Sequence, residues 1–309
     1  MRYVEVGGLR LSVIGLGTWQ FGSREWGYGA TYASDTAPAI VRRSIELGVT
    51  LIDTAEMYGF GRSERIVGEA IAGQREAVVL ATKLVPLLPL PAVVDWQVRG
   101  SLRRLGVDAI DLYQVHFPNP FASPRSTVAP LRPLLEQGLV RHVGVSNHSL
   151  GRWRASERGL GRPILTNQVR FSLAAPLPRW ELVPYAREEG RVVIAYSPLG
   201  QGLLSGRYGL EHKPGGWYRS RSLLFRDRTI RRALPLITAV GEVARGHGAT
   251  PAQVVLAWLI GHRNVVAIPG ASSTTQLEEN VAAAELELTA SEREQLTAEA
   301  ALFELAVRR

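Results

Sequence analysis

The stretch Ala77-Val78-Val79-Leu80-Ala81-Thr82-Lys83 decides the fold. A nearly unbroken apolar run that stops at a single charge reads as a strand covered on both faces. That is the habit of a parallel sheet sandwiched by helices. Its last residue is one of only two lysines, Lys83 and Lys213, so 34 of the 36 basic residues are Arg. Arg keeps its proton in proteins, whereas the Lys ammonium is a compact charge whose pKa moves on burial. An ammonium at the C-terminal end of a buried strand is therefore a candidate for chemistry.

Outward from this strand the pattern repeats. Candidate strands fall at 13–17, 50–53, 77–83, 110–116, 140–146, 164–169, 192–196 and 264–268. Between and after them, amphipathic periods predict helices near 36–48, 62–73, 91–105, 127–137, 149–157, 179–189, 228–246, 251–262 and 274–284, with a last helix in 289–309. Arg2–Val6 and Leu9–Val13 flank Gly7-Gly8 and read as a β-hairpin. Eight strand–helix units in 309 residues predict an α/β chain forming one (β/α)8 TIM barrel domain over 1–309, with an N-terminal hairpin and extra C-terminal helices. An open doubly wound sheet would want a third glycine in Gly15-Leu16-Gly17-Thr18-Trp19-Gln20 and a helix directly after it. Neither is present.

Composition narrows the functions. The chain has no cysteine, which excludes disulfides and thiolate metal sites, and its six histidines show no HxxxH or HExxH spacing, so no metal is expected. A formal charge of +8 raises the question of nucleic acid, but the arginines are scattered in ones and twos (Arg42-Arg43, Arg103-Arg104, Arg231-Arg232). They read as solvated helix faces, and no nucleic-acid partner is expected. No segment has the order of a signal peptide and no apolar run reaches spanning length, so a cytoplasmic protein without membrane contact is expected.

In a barrel the chemistry sits where strands end. Asp53, Lys83 and His116 close the second, third and fourth predicted strands, and Tyr58 follows in the loop after the second. A phenol titrates near ~10, too high for easy proton exchange at neutral pH. A neighbouring ammonium favours the phenolate, a carboxylate holds that ammonium, and an imidazole can donate to the same substrate oxygen. Each residue alone has an ordinary reading as a cap, a packing group or a strand end. Together, in this order, they read as a proton donor.

The segments Gly15-Leu16-Gly17-Thr18-Trp19, Asp53–Gly59, Lys83, Val115-His116, Gly144-Val145-Ser146-Asn147, Asn167-Gln168, Ala195-Tyr196-Ser197-Pro198-Leu199-Gly200 and Ile268-Pro269-Gly270 through Asn280 resemble the aldo-keto reductase superfamily over nearly the full length. The last of them is similar to the branch holding potassium-channel β subunits and aflatoxin-aldehyde reductases. The resemblance implies Tyr58 as general acid, Lys83 as the neighbour that lowers its pKa, Asp53 as the partner of Lys83, and His116 as the donor that orients substrate. It implies Ser146, Asn147 and Gln168 on a nicotinamide carboxamide and Tyr196 stacked on the ring. Gly17, Thr18 and Trp19 belong to the same cofactor wall. Ser197, Pro198, Leu199, Gly202 and Leu203 resemble the segment over a pyrophosphate, with Arg207 and Arg221 as phosphate partners. Gly270, Ser272, Gln276, Glu279 and Asn280 form the motif that separates NADPH from NADH. Gly270 and Gln276 stand where many members carry Lys and Arg, yet the similar branch uses NADPH, and a helix N-terminus with serines can hold an anion. NADPH is expected, with NADH possible.

Trp19, Trp26, Phe117, Phe171 and Tyr218 are the expected substrate-pocket walls, with Phe121 and Trp217 nearby, and suit a small-molecule carbonyl with an apolar body. Asn119, Arg170 and Arg219 offer a polar alternative, and the loop 200–227 is expected to close over cofactor. The expected activity is NADPH-dependent reduction of aldehydes or ketones. Two other readings share these residues: a sugar or polyol dehydrogenase running in reverse, and a cofactor-binding redox sensor with negligible turnover. The oligomeric state stays open between monomer and homo-oligomer.

Overall fold

The computed structural model describes residues 1–22, 29 and 31–308, the side chains of 218 and 308 excepted. Strands β1 (Tyr3–Val6) and β2 (Leu9–Ser12) pair antiparallel. The other eight are β3 (Leu16–Gly17), β4 (Leu51–Asp53), β5 (Val79–Leu84), β6 (Ile110–Val115), β7 (Val140–Ser146), β8 (Thr166–Arg170), β9 (Val192–Tyr196) and β10 (Val265–Ala267). They pair in parallel, each with its successor. The seam closes where Ile14 bridges Ala267, with Gly15 N–H on the Ala267 carbonyl at 2.8 Å and Ala267 N–H on that of Val13 at 2.9 Å. A Cβ on Gly17 would lie 2.7 Å from the Ile268 carbonyl oxygen, so the seam needs glycine there.

The described helices are α1 (Ala37–Glu46), α2 (Arg62–Ile71), α3 (Pro91–Leu105), α4 (Pro124–Val128), α5 (Arg132–Glu136), α6 (Leu150–Leu160), α7 (Pro178–Glu188), α8 (Trp217–Ser220), α9 (Asp227–Gly246), α10 (Pro251–Ile260), α11 (Thr274–Ala282) and α12 (Ala290–Arg308). None of the described helices is long and apolar enough to cross a membrane. The (β/α)8 expectation holds. One predicted helix does not: 127–137 is broken into α4, a 3-10 turn at Ala129–Leu131, and α5. Pro130 and Pro133 have no N–H to donate and their rings crowd the preceding turn, and two such residues three apart interrupt the helix here.

The apolar strands serve two cores. Outward residues such as Ile52, Leu80, Tyr113, Val143 and Val193 pack beneath the helices. Inward Leu51, Ala81, Leu112, Ile194 and Val266 meet Val6, Leu9 and Leu11 of the hairpin, which plugs the N-terminal end. A strand repeats its facing every two residues. Two steps along from Leu51, Ala81, Leu112 and Ile194 stand Asp53, Lys83, Gln114 and Tyr196. The barrel interior therefore changes from apolar to polar in one layer, toward the C-terminal rim.

Candidate active site

That polar layer is tightly bonded. Lys83 is fully buried, unlike the exposed Lys213, and its Nζ donates to Asp53 Oδ2 at 2.6 Å, to the Thr54 carbonyl at 2.8 Å and to Tyr58 Oη at 3.2 Å. All three donor directions of the ammonium are thereby used. Asp53 Oδ1 accepts from Gln168 Nε2 at 2.7 Å and from Gln114 Nε2 at 3.1 Å. Tyr58 lies between Trp19, stacked at 6.1 Å, and His116, edge-on at 5.8 Å. Asp53, Tyr58, Lys83 and His116 thus meet at one rim.

Burial pushes the Tyr58 phenol above its ordinary value; the Lys83 charge pulls it down, and Asp53 pushes it up again. The expected pull of Lys83 is present, but burial outweighs it in this structure. Tyr58 is a protonated phenol at neutral pH. Burial lowers the Lys83 pKa, but the charge of Asp53 and the contact with Tyr58 together raise it above 10.5, which keeps the ammonium charged. His116 is pushed down to about 3 by burial and by the Lys83 charge, and its Nδ1 is buried without a hydrogen-bond partner. It is a neutral imidazole at neutral pH.

His148, held through Nδ1 on the Ser146 carbonyl at 2.9 Å, is likewise pushed down to about 4 by burial. Both histidines have folded pKa values below the unfolded 6.5, so the unfolded chain binds the extra protons. Their stabilisation is complete above pH 6.5 and is lost as pH falls toward 4 and then 3. The denaturation midpoint is expected to fall through that window, and a His116→Gln/His148→Gln variant to show a shallower fall. An equal slope in the variant would contradict this assignment.

A cavity of about 1030 Å³ opens at this rim. Gly17, Thr18 and Trp19 line one side, and Ser146, Asn147, Gln168 and Tyr196 another. Beyond them it runs along Ser197, Pro198, Leu199, Gly202 and Arg207 to Gly270, Ser272, Gln276, Glu279 and Asn280. Tyr196 Oη donates to Asn147 Oδ1 at 3.0 Å, and Ser146 Oγ donates to the Gln168 carbonyl at 2.8 Å. At the start of α11, Ser273 caps the helix, and Ser272 donates from N and Oγ to Gln276 Oε1 at 2.7 and 2.9 Å. An oxygen acceptor already stands where the helix dipole favours an anion.

Several expected residues lie elsewhere. Leu203 is fully buried in the outer core, and Arg221 is exposed with its guanidinium 4.7 Å over the Trp217 ring. Phe171 is fully buried too, packed edge-on against Trp258 at 5.7 Å and His262 at 5.5 Å under the helices. Asn119 is spent on its own turn, donating to the Pro86 carbonyl and accepting from Phe121 N at 2.7 Å. Phe121 and Trp217 are exposed and Arg170 faces a separate groove. Trp19 and Phe117 do line the cavity. Trp26 and the Tyr218 side chain lie outside the described residues. Gln20, Met57, Tyr208 and Thr250–Ala252 also wall the cavity, though no motif in the sequence marks most of them. The last carried a signal, Thr-Pro-Ala-Gln, which forms a capping box at the start of α10.

A closed parallel barrel thus sets a phenol and a carboxylate on a large rim cavity, with a buried ammonium bonded to both. The family model for the aldo/keto reductase family matches residues 13–300, and the chain belongs to that family of NAD(P)H-dependent oxidoreductases. It is 54% identical over 305 residues to an uncharacterised oxidoreductase of Mycobacterium tuberculosis, covering 98% of this chain and 94% of the relative. It is 35% identical to the methylglyoxal reductase YeaE of Escherichia coli over 93% of this chain and 90% of the relative. An aldo-keto reductase from Klebsiella pneumoniae, solved in complex with NADPH, superposes with a TM-score of 0.79 at 32% identity, covering 96% of this chain and 94% of that one.

Proposed function

We propose that this chain is an NADPH-dependent reductase of small aldehydes and ketones with Tyr58 as general acid. The carrying observation is the Asp53–Lys83–Tyr58 chain of hydrogen bonds ending at the cavity. The NADPH-bound neighbour and the methylglyoxal reductase relative support the same reading.

The wall residues fit a dinucleotide. A cavity of about 1030 Å³ exceeds what a small carbonyl fills and leaves room for a long ligand beside it. Arg207 and Arg219 line its middle and match phosphate oxygens as guanidinium forks. Ser272, Ser273 and Thr275 surround the N-terminus of α11, where backbone N–H groups and the helix dipole suit a 2′-phosphate without a lysine. Tyr196 offers a ring face, and Ser146 and Asn147 offer polar groups to a carboxamide. Since Gln168 Nε2 is committed to Asp53, its oxygen is what Gln168 offers a carboxamide NH₂.

NADPH, when bound along this wall, would supply the hydride that the carbonyl carbon accepts. Tyr58 Oη gives its proton to the oxygen of that carbonyl, which becomes the alcohol. Lys83, held by Asp53 and the Thr54 carbonyl, supports the phenolate left behind until solvent reprotonates it. Neutral His116 donates a hydrogen bond to the same oxygen without competing as an acid. Trp19, Met57 and Phe117 wall the cavity with apolar surface. The test is NADPH oxidation with methylglyoxal, pyridoxal and 4-nitrobenzaldehyde, with cofactor affinity read by tryptophan quenching. Turnover with at least one is expected; tight NADPH binding without turnover on any would assign the protein to cofactor sensing instead.

A further inference from the structure

Asp53 is held by more than its lysine. Of the two amides on Oδ1, Gln168 belongs to the cavity wall, whereas Gln114 does not line the cavity and is fully buried inside the barrel on β6. Thr166 Oγ1 donates to Gln114 Oε1 at 3.4 Å, which fixes the amide oxygen on that side and turns its N–H toward Asp53. The neighbouring strand makes room for this amide: a Cβ on Gly144 of β7 would lie 2.9 Å from Gln114 Cγ and closer still to Thr166 Oγ1. A methionine at 114 would fill the same space with no polar group to satisfy, so packing alone does not call for glutamine.

The geometry points to Gln114 as a positioning residue that sets the acidity of Tyr58 through Asp53 and Lys83. Its N–H dipole offsets part of the Asp53 negative charge that Tyr58 feels, and it pins Oδ1 so that Oδ2 stays on Lys83. The titratable groups around the Tyr58 phenol are Lys83 of β5, which pulls it down, Asp53 of β4 and Tyr196 of β9, which push it up, and neutral His116 after β6. Without Gln114, the phenol faces a fuller negative charge and a lysine drawn harder onto Asp53. Both effects raise Tyr58. In turnover this inference rests on Tyr58 as the proton donor; in titration it does not.

The experiment measures the alkaline titration midpoint of Tyr58 by phenolate absorbance, as the difference between each protein and its Tyr58→Phe counterpart. Gln114→Met is expected to raise the midpoint by roughly half a unit or more, in keeping with loss of a hydrogen bond to a neighbouring charge. For 4-nitrobenzaldehyde reduction it is expected to lower kcat about two- to threefold, as a general acid moves further from the working pH, while NADPH affinity stays within about twofold. An unchanged midpoint overturns the inference even if kcat falls, since loosened packing lowers kcat without moving a titration. A wild type that titrates as expected but reduces nothing counts against the reductase reading and leaves the titration result standing. Thr166→Val, which keeps its volume and removes only the orienting hydroxyl, shifts the midpoint the same way by less and carries the test if Gln114→Met does not fold.

Discussion

Lys83→Met is expected to lower kcat for carbonyl reduction by about a hundredfold or more, a large part of what a well-placed general acid contributes. Among the described residues the Lys83 ammonium favours a Tyr58 phenolate, while burial and Asp53 both oppose it. The same change also costs stability. Lys83 and Asp53 are both buried, and removing one partner of a buried pair leaves the other charge uncompensated, at about 3–5 kcal/mol. The two amides on Asp53 Oδ1 offset part of this, so the lower end of that range is expected. Adding Asp53→Asn to Lys83→Met removes the stranded charge and recovers stability without recovering turnover. Chemical denaturation beside steady-state kinetics separates the two effects; a double variant with restored turnover would show that Lys83 acts only by holding the barrel together. The pair's pH behaviour follows the same logic. The folded pKa of Lys83 lies above the unfolded 10.5, so its contribution is complete below 10.5 and disappears only as pH rises through the folded value.

Much of this was legible in the chain because it is short-range. Apolar runs bounded by turns placed all eight barrel strands, and the residue closing each run placed Asp53, Lys83 and His116 on one rim. What stayed hidden depends on which face a residue takes after its strand ends. Phe171 directly follows β8 and Phe117 comes just past β6 after His116, yet one packs under the helices against Trp258 and the other lines the cavity. Residue type does not separate them. Leu203 sits in a glycine-rich segment that reads as a loop over ligand, but a 3-10 turn at Gly200–Ser205 folds it into the core. Gln114 was hidden for the opposite reason: amid the apolar residues of β6 it reads as a strand residue. Only the register that sets Lys83 beside Gln114 shows that it faces Asp53.

Tyr58→Phe bears most directly on the central claim, because it deletes one oxygen and leaves the ring between Trp19 and His116. The protein keeps its cavity, its Asp53–Lys83 pair and its cofactor wall, so NADPH quenching of tryptophan fluorescence is expected to change by less than about twofold. Proton transfer in the transition state is worth about 10²–10⁴ in rate, and with the donor gone the reduction rate is expected to fall by that factor. Single-turnover oxidation of bound NADPH by 4-nitrobenzaldehyde in wild type and Tyr58→Phe isolates this step from product release. The account predicts a loss of at least about a hundredfold with cofactor binding intact; a rate within a few-fold of wild type would contradict it and place the proton donor elsewhere.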